Sequence, residues 1–255
     1  MNLSYRIYYV WKRNLYSFKR FIIPTLLVSL GEPLFYLVAM GLGLGAYMGL
    51  FGGKPYLYFL APGIIITSVM LSSAFECLYG SFIRMIHEKI YDSLIVTPIS
   101  AEDAVAGDIV WGTSRGLLSG LLVLLVSFLL GVVPVSFNIL ALLLLTMAVT
   151  GLVFASLSMI VTSFAPNFDF FNYYTELVIT PMFFFSGVFF PLDRLPEWVK
   201  VAAQFFPLTH AVAISRAVFT GEFSASLIYN FLVLFSLGGF LFCLAIYFMK
   251  RRLIK

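Results

Sequence analysis

The stretch ELVITPMFFFSGVFFPLDRLPEWVKVAAQFFPLTHAVAISRAVFTG, residues 176–221, decides how the rest of the chain is read. It opens as an apolar helix, Leu177 to Phe190, interrupted at Thr180-Pro181 and again at Ser186-Gly187. It breaks at Phe190-Pro191, passes Asp193, Arg194 and Pro196, and continues as Glu197-Trp198-Val199-Lys200. A second aromatic run, Gln204-Phe205-Phe206, stops at Pro207-Leu208-Thr209-His210, before an apolar piece ending at Thr220-Gly221. After Pro191 the chain is too polar and too often broken by proline to span a bilayer, yet too apolar for a solvated loop. Irregular backbone at membrane depth must be covered by protein or line a cavity, so two short amphipathic pieces dipping in from one side fit here. The competing reading is a surface loop whose aromatics sit in the headgroup belt.

Composition agrees on the class. With 61% hydrophobic and 11% charged residues and a mean hydropathy of +1.00, the chain reads as an integral membrane protein. A soluble core of this size needs more polar surface than these residues supply. The net charge of +4 sits in short clusters at span ends, which indicates membrane topology and no nucleic-acid partner. Cys77 and Cys243 lie inside apolar runs and read as small packing residues, not as a disulfide framework. His87 and His210 stand far apart, so no metal site is expected.

In chain order, residues 1–20 carry Arg6, Lys12, Arg13, Lys19 and Arg20 without an acid, interleaved with tyrosines, Trp11 and Phe18. That pattern describes an amphipathic helix lying in the membrane interface. It is no signal peptide, because the apolar run behind it is too long and no small-residue cleavage site follows. A first span over about 21–46 places Glu32-Pro33 about 16 Å from its start by helical rise, near mid-bilayer. A carboxylate there is either functional or turned toward a neighbouring helix to help a proline-broken backbone; both readings stay open. Gly41, Gly45 and Gly49 recur every four residues, a ridge that lets a helix approach closely. Gly52-Gly53-Lys54-Pro55 is an outer turn, and no GxxxxGK[ST] phosphate loop occurs in the chain.

The second span covers about 56–82. Residues 84–103 then form a polar loop in which Ile86, Ile90, Leu94 and Ile95 recur at helical spacing, predicting a short amphipathic helix stopped at Thr97-Pro98. Ser100 is placed to cap the next helix, with Glu102 and Asp103 in its first turn. Further spans are expected at about 104–130, 138–164, 170–190 and 227–249, with Val132-Val133-Pro134 as a minimal outer turn. Glu76, Asp108, Arg115 and Glu176 fall in the cytoplasmic third of the bilayer. Unpaired charges there cost kilocalories, which predicts a bracing polar cluster with Arg115 on an acid, not a proton relay. The reading is therefore a single all-α domain over 1–255, with six spans and an outer re-entrant hairpin at 191–221. The basic N-terminal segment and tail put both termini in the cytoplasm.

Thr180-Pro181-Met182, Ser186-Gly187-Val188-Phe189-Phe190-Pro191, Leu195-Pro196 and Pro207-Leu208-Thr209-His210 resemble the signature of type-2 ABC exporter permeases. Within that family they look like the nodulation-factor export permeases, and the resemblance runs through most of the chain. It implies that Arg84, His87, Glu88, Lys89, Tyr91 and Asp92 form a coupling helix docked on a cytoplasmic ATPase subunit. It also implies two copies of the chain with two ATPase subunits, which would carry the ATP and magnesium, in a bacterial or archaeal inner membrane. Trp11, Lys12, Arg13, Lys19 and Arg20 would hold the interface helix against membrane lipid. The translocation path or dimer seam would use Glu32, Gly41, Gly45, Tyr174, Thr180, Pro181, Phe184, Ser186, Gly187 and Val188. Pro191, Pro196, Pro207 and His210 would shape an outer gate. Such permeases move lipo-oligosaccharides, polysaccharides or polyketide drugs; the aromatic content suits an amphipathic, glycolipid-like cargo. No catalytic residue and no cofactor are expected on this chain. A secondary transporter lacks support because the broken spans are not paired between halves. A membrane enzyme lacks HExxH, GxSxG or any His–acid pairing.

Overall fold

A computed structural model describes residues 3–51, 53–133, 137–222 and 225–254. Helix α1 spans Ile7–Lys19. Helix α2 is built from an α-helical Ile22–Phe35, π-turns over Tyr36–Leu44 and a last turn Gly45–Met48. A two-residue hairpin pairs β1, Leu50–Phe51, with β2, Lys54–Pro55, in antiparallel register. Helix α3 runs Tyr56–His87, followed by α4, Ile90–Ile95, α5, Ala101–Leu129, and α6, Phe137–Phe164. Helix α7 joins Asp169–Tyr174, π-turns Thr175–Ile179 and Thr180–Phe185. The chain closes with α8, Glu197–Gln204, α9, Pro207–Thr220, and α10, Ala225–Leu253.

Four of these helices are long and apolar enough to cross a membrane: α3, α5, α6 from Leu140, and α10. They pack on one another and form the core, and α3 is its centre. Leu60, Ile64, Ile65, Ile66, Val69 and Met70 are all buried. A helix buried all round needs no amphipathic stripe. Its hydroxyls are satisfied at home: Thr67 and Ser73 each donate to the carbonyl four residues back, at 2.9 and 2.6 Å. That is how a polar side chain is tolerated away from water.

The closest packing uses a glycine ridge that the sequence reading passed over. Gly112, Gly116 and Gly120 line one face of α5 against α3. A Cβ on Gly116 would sit 2.8 Å from the Val69 carbonyl oxygen. The ridge that was singled out serves within the chain too. Gly41 lies against the Leu57 side chain and Gly45 against Tyr56, both on α3 or its start, so these two are not free for a dimer seam. Gly49 has φ +67° and ends α2.

Three expected boundaries shift. The second helix does not stop at 82 but continues to His87 through π-turns at Glu76–Gly80 and Ile83–His87. The fifth helix ends at Phe185, five residues early, because Gly187 takes φ +79°, a conformation open to glycine and closed to a continuing helix. The predicted loop helix is only Ile90–Ile95, so Ile86 belongs to α3 and the four-residue apolar stripe is not one surface. Pro134 and Lys255 lie outside the described residues. Helix α9 is not a skimming loop: it inserts among α3, α6 and α10, with Leu208, Val212, Ile214 and Val218 buried. By contrast α1 lies along α5, and α2 and α7 flank the core with large exposed apolar residues.

Substituting Gly116→Ala forces a methyl onto the Val69 backbone and is expected to cost about 1–3 kcal/mol of stability. Gly43→Ala, with open space around it, is expected to leave stability unchanged or slightly raised. Thermal unfolding of the two purified variants checks this; equal midpoints would contradict the packing account.

Candidate functional site

The densest chemistry sits where α1, α3, α4 and α5 meet. Asp108 on α5 is fully buried, and a bare carboxylate there would be very costly. It is saturated instead. Oδ1 accepts from Asn14 Nδ2 at 2.6 Å, and Oδ2 accepts from Tyr91 Oη at 2.6 Å, Arg84 Nε at 3.0 Å and Ser81 Oγ at 3.3 Å. Arg84 bridges onward through Nη1 to Glu76 Oε1 at 2.9 Å. The same Glu76 oxygen accepts from Trp111 Nε1 at 3.0 Å, and Oε2 lies 3.8 Å from Arg115 Nε. Arg13 Nη2 approaches Asp108 at 3.7 Å.

The expected pairing of Arg115 with an acid is present as Glu76–Arg115, but two members of the cluster come from the presumed docking loop. Arg84 is its centre and Tyr91 is 1% exposed, so neither faces outward as a docking side chain. Burial, and then the Asp108 carboxylate, push the Tyr91 phenol well above its ordinary value, which keeps it a donor. Because the folded value is the higher one, this bond stabilises fully below about pH 10 and is lost only as pH climbs through the folded value. Glu176 stands apart, exposed and without a salt bridge to any described residue. Asn14 was missed although Val10, Asn14 and Phe18 recur at helical spacing and form the buried face of α1.

Around this hub the N-terminal helix is pinned at several points. Ser4 donates through its backbone N–H and its hydroxyl to the Asp103 carboxylate, both at 2.8 Å. Arg6 bonds the Pro98 carbonyl, and Trp11 Nε1 donates to Ser114 Oγ at 3.0 Å. Ser100 caps α5, accepting from Asp103 N–H at 3.0 Å. Lys12 and Lys19 remain outside, over the Tyr16 ring, and Arg20 lies over Phe21. Lys89 turns the chain in the left-handed conformation, φ 50°, so Glu88, Lys89 and Asp92 are exposed on the turn and on α4. His87 stacks on Phe168, with ring centroids 5.4 Å apart. Among the described residues no group of His, Cys, Asp and Glu could hold a metal.

The residues proposed for a path divide. Glu32 is exposed and lines a cleft of about 340 Å³ with Ser29, Ser68, Ser72, Arg115 and Ser119. Phe184 is exposed, and Thr180 and Pro181 are half-buried. Tyr174, Ser186, Gly187 and Val188 are buried within the chain. Val188 packs on Gly63 of α3. Tyr56 donates to the Phe189 carbonyl at 2.7 Å and Arg216 Nη2 to that of Gly187 at 2.7 Å. Buried non-helical backbone is thus satisfied by side chains of α9 and the start of α3. Pro191 and Pro196 bracket the Leu192–Arg194 turn, and Pro207 opens α9. His210 is a brace: Nε2 donates to the Gln204 carbonyl at 2.9 Å, and Nδ1 lies 2.7 Å from the Asn230 amide.

A family model for the ABC-2 type transporter matches residues 5–220. The chain belongs to the ABC-2 type transporter family. Nodulation protein J of Rhizobium leguminosarum bv. trifolii is 39% identical over 213 residues, 84% of this chain and 80% of that protein. Nodulation protein J of Bradyrhizobium diazoefficiens is 35% identical over 248 residues, 96% and 93% of the two chains. Inner membrane transport permease YadH of Escherichia coli K12 is 27% identical over 236 residues, 92% and 91%. This ABC-2 chain is a membrane transport permease, and the charged hub is the floor on which its α1 and α4 rest.

Replacing Arg84→Met strands Asp108 and Glu76 and is expected to destabilise the permease by about 3–5 kcal/mol. Tyr91→Phe removes one donor and is expected to cost about 1–3 kcal/mol. Unfolding midpoints decide the matter, and a wild-type midpoint for Arg84→Met would remove the hub from the structure's supports.

Proposed function

We propose that this permease is the membrane half of an ATP-driven exporter. Two copies and two cytoplasmic ATPase subunits would move an amphipathic, lipo-oligosaccharide-like substrate outward through six spans per chain. The observation that carries the coupling role is α4. Asp92 on α4 and Glu88 and Lys89 on the turn before it are exposed charges with no salt bridge to a described residue, while the inward Tyr91 of α4 is bonded to the buried hub. Charged faces of this kind set the orientation of docking partners. Two further spans are assigned to α2 and α7. Both are interrupted by π-turns and carry exposed Phe35, Leu42, Leu177 and Phe184, which supports placing them against lipid or a second copy. The substrate class rests on the likeness to proteins named Nodulation protein J and on the nodulation-factor export resemblance.

Reversing charge at Glu88 or Asp92 is expected to weaken the complex with the ATPase about tenfold and to lower coupled export, with the membrane domain's melting unchanged. Normal export and substrate-stimulated hydrolysis in both variants would sink the docking assignment. Reporter fusions after Lys89 and Lys255 are expected to read cytoplasm and one after Lys200 the outer face. A cytoplasmic signal at Lys200 would overturn six spans. Single cysteines at Thr180 and Phe184, in a chain lacking Cys77 and Cys243, are expected to crosslink two copies in a nucleotide-dependent way. No crosslink in any state would remove α7 from the seam.

A further inference from the structure

Beside the hub, between α1, α2, α3 and α5, lies a groove of about 360 Å³ lined by Arg13, Ser17, Phe21, Ile83, Glu88 and Arg115 among others. Its hydrogen-bonding account is lopsided. Three guanidinium groups, Arg13, Arg84 and Arg115, face two buried or half-buried carboxylates, Glu76 and Asp108. The carboxylates are already supplied, Asp108 by Asn14, Tyr91, Ser81 and Arg84, and Glu76 Oε1 by Arg84 and Trp111. Arg84 is supplied on all three nitrogens and Arg13 Nη2 donates to Asn14 Oδ1 at 2.8 Å, but the remaining donors of Arg13 and Arg115 are not. Arg13 Nη1 is buried with no hydrogen-bond partner among the described residues. Arg115 has one long approach, 3.8 Å from Nε to Glu76, and lies over the Phe18 ring at 4.6 Å; it donates no hydrogen bond to a described residue. Burial lowers Arg13 from its ordinary value, against the raising effect of the nearby Asp108 carboxylate. Glu88 at the rim is exposed and forms no salt bridge with them, adding only a longer-range attraction to Arg13.

The missing partner is therefore an acceptor with negative charge. Two arginines converging on one groove select a group with several oxygens, and phosphate suits them. The groove's position says where that phosphate comes from. It opens beside α1, whose outer face carries Tyr8, Tyr9 and Tyr16 exposed with Lys12 and Lys19, the make-up of a helix lying at a membrane surface. Above the arginines the walls turn apolar at Phe21 and Ile83. We propose that this groove binds the phosphate of an anionic phospholipid headgroup drawn from the leaflet in which α1 lies. The phosphate takes donors from Arg13 and Arg115, and the lipid's first chain segment lies along Phe21 and Ile83. The bound lipid completes the seating of α1 on α5, so the permease carries a lipid as part of its cytoplasmic-side structure. The inference rests on the membrane reading of the chain and not on export, so its test measures binding alone.

The full chain is purified and reconstituted in nanodiscs of phosphatidylcholine with or without phosphatidylglycerol, and retained lipid is measured by native mass spectrometry together with a binding titration. Phosphatidylglycerol is expected to bind wild type at least tenfold more tightly than phosphatidylcholine. Arg115→Gln and Arg13→Gln are each expected to weaken it about tenfold, Arg115→Lys to restore part of the loss, and Lys54→Gln, remote from the groove, to change nothing. Arg115→Gln leaves both Arg84 bridges in place, so its melting point is expected to stay near wild type and the binding readout remains interpretable. Equal binding of the two lipids, or undiminished binding in both arginine variants, would overturn the site. Binding of inorganic phosphate as tight as that of phosphatidylglycerol would overturn the lipid source.

Discussion

One carboxylate organises the end of this molecule where α1, α3, α4 and α5 meet. Asp108 is fully buried on a helix that crosses the apolar interior, where an ion without partners is not tolerated. The groups that satisfy it arrive from three different elements: Asn14 and Arg13 from α1, Ser81 and Arg84 from α3, Tyr91 from α4. Meeting the needs of a single side chain therefore fixes the seat of the N-terminal helix, the length of α3 and the position of the short α4. An amphipathic helix that would otherwise float in the interface becomes an integral part of the fold.

The opposite end obeys the same constraint with backbone in place of charge. Residues 186–189 leave the helical conformation while staying buried, so their carbonyls need donors that no helix supplies. Tyr56 and Arg216 provide them, and Gly63 lets Val188 approach α3 closely. The inserted α9 is what makes this arrangement possible. It carries Arg216 to Gly187, with the guanidinium resting over Phe59 at 3.7 Å, and it bonds α3 through Ser215 to the Pro62 carbonyl at 3.2 Å. Apolar packing and polar satisfaction are here the same event.

Much of this was legible beforehand and some was not, for identifiable reasons. Composition and apolar run length marked the long helices, and Ser100 announced the start of α5, because such signals are local. Hydropathy ended the second helix at the first cation, Arg84. It has no means of knowing that Glu76 and Asp108 already wait to neutralise that cation, so a hub residue was assigned to a docking loop along with Tyr91. Ser186-Gly187 read as an interruption in a helix reaching Phe190, whereas φ +79° at Gly187 ends that helix, and the Gly187 carbonyl is claimed by Arg216. The ridge of Gly112, Gly116 and Gly120 was as plain as that of Gly41 and Gly45. It was overlooked because Asp108 and Arg115 on the same helix drew the reading toward charge.

The distribution of π-turns separates what holds from what yields. The four core helices meet along small residues and continuous apolar faces, while π-turns cluster in α2, in α7 and at the hub end of α3. A π-turn widens the helix and loosens its hydrogen-bond register, so such segments bend at lower cost than regular helix. Neither α2 nor α7 supplies the glycine ridge of α5 or a partner of Asp108. Force applied at α4 meets a different mechanical element. Tyr91 ties it to Asp108, and Arg84 carries that tie to Glu76 at the first π-turn of α3. The hub thus links α4 to the π-turned end of the central helix, beside the cleft that Glu32 and Arg115 share.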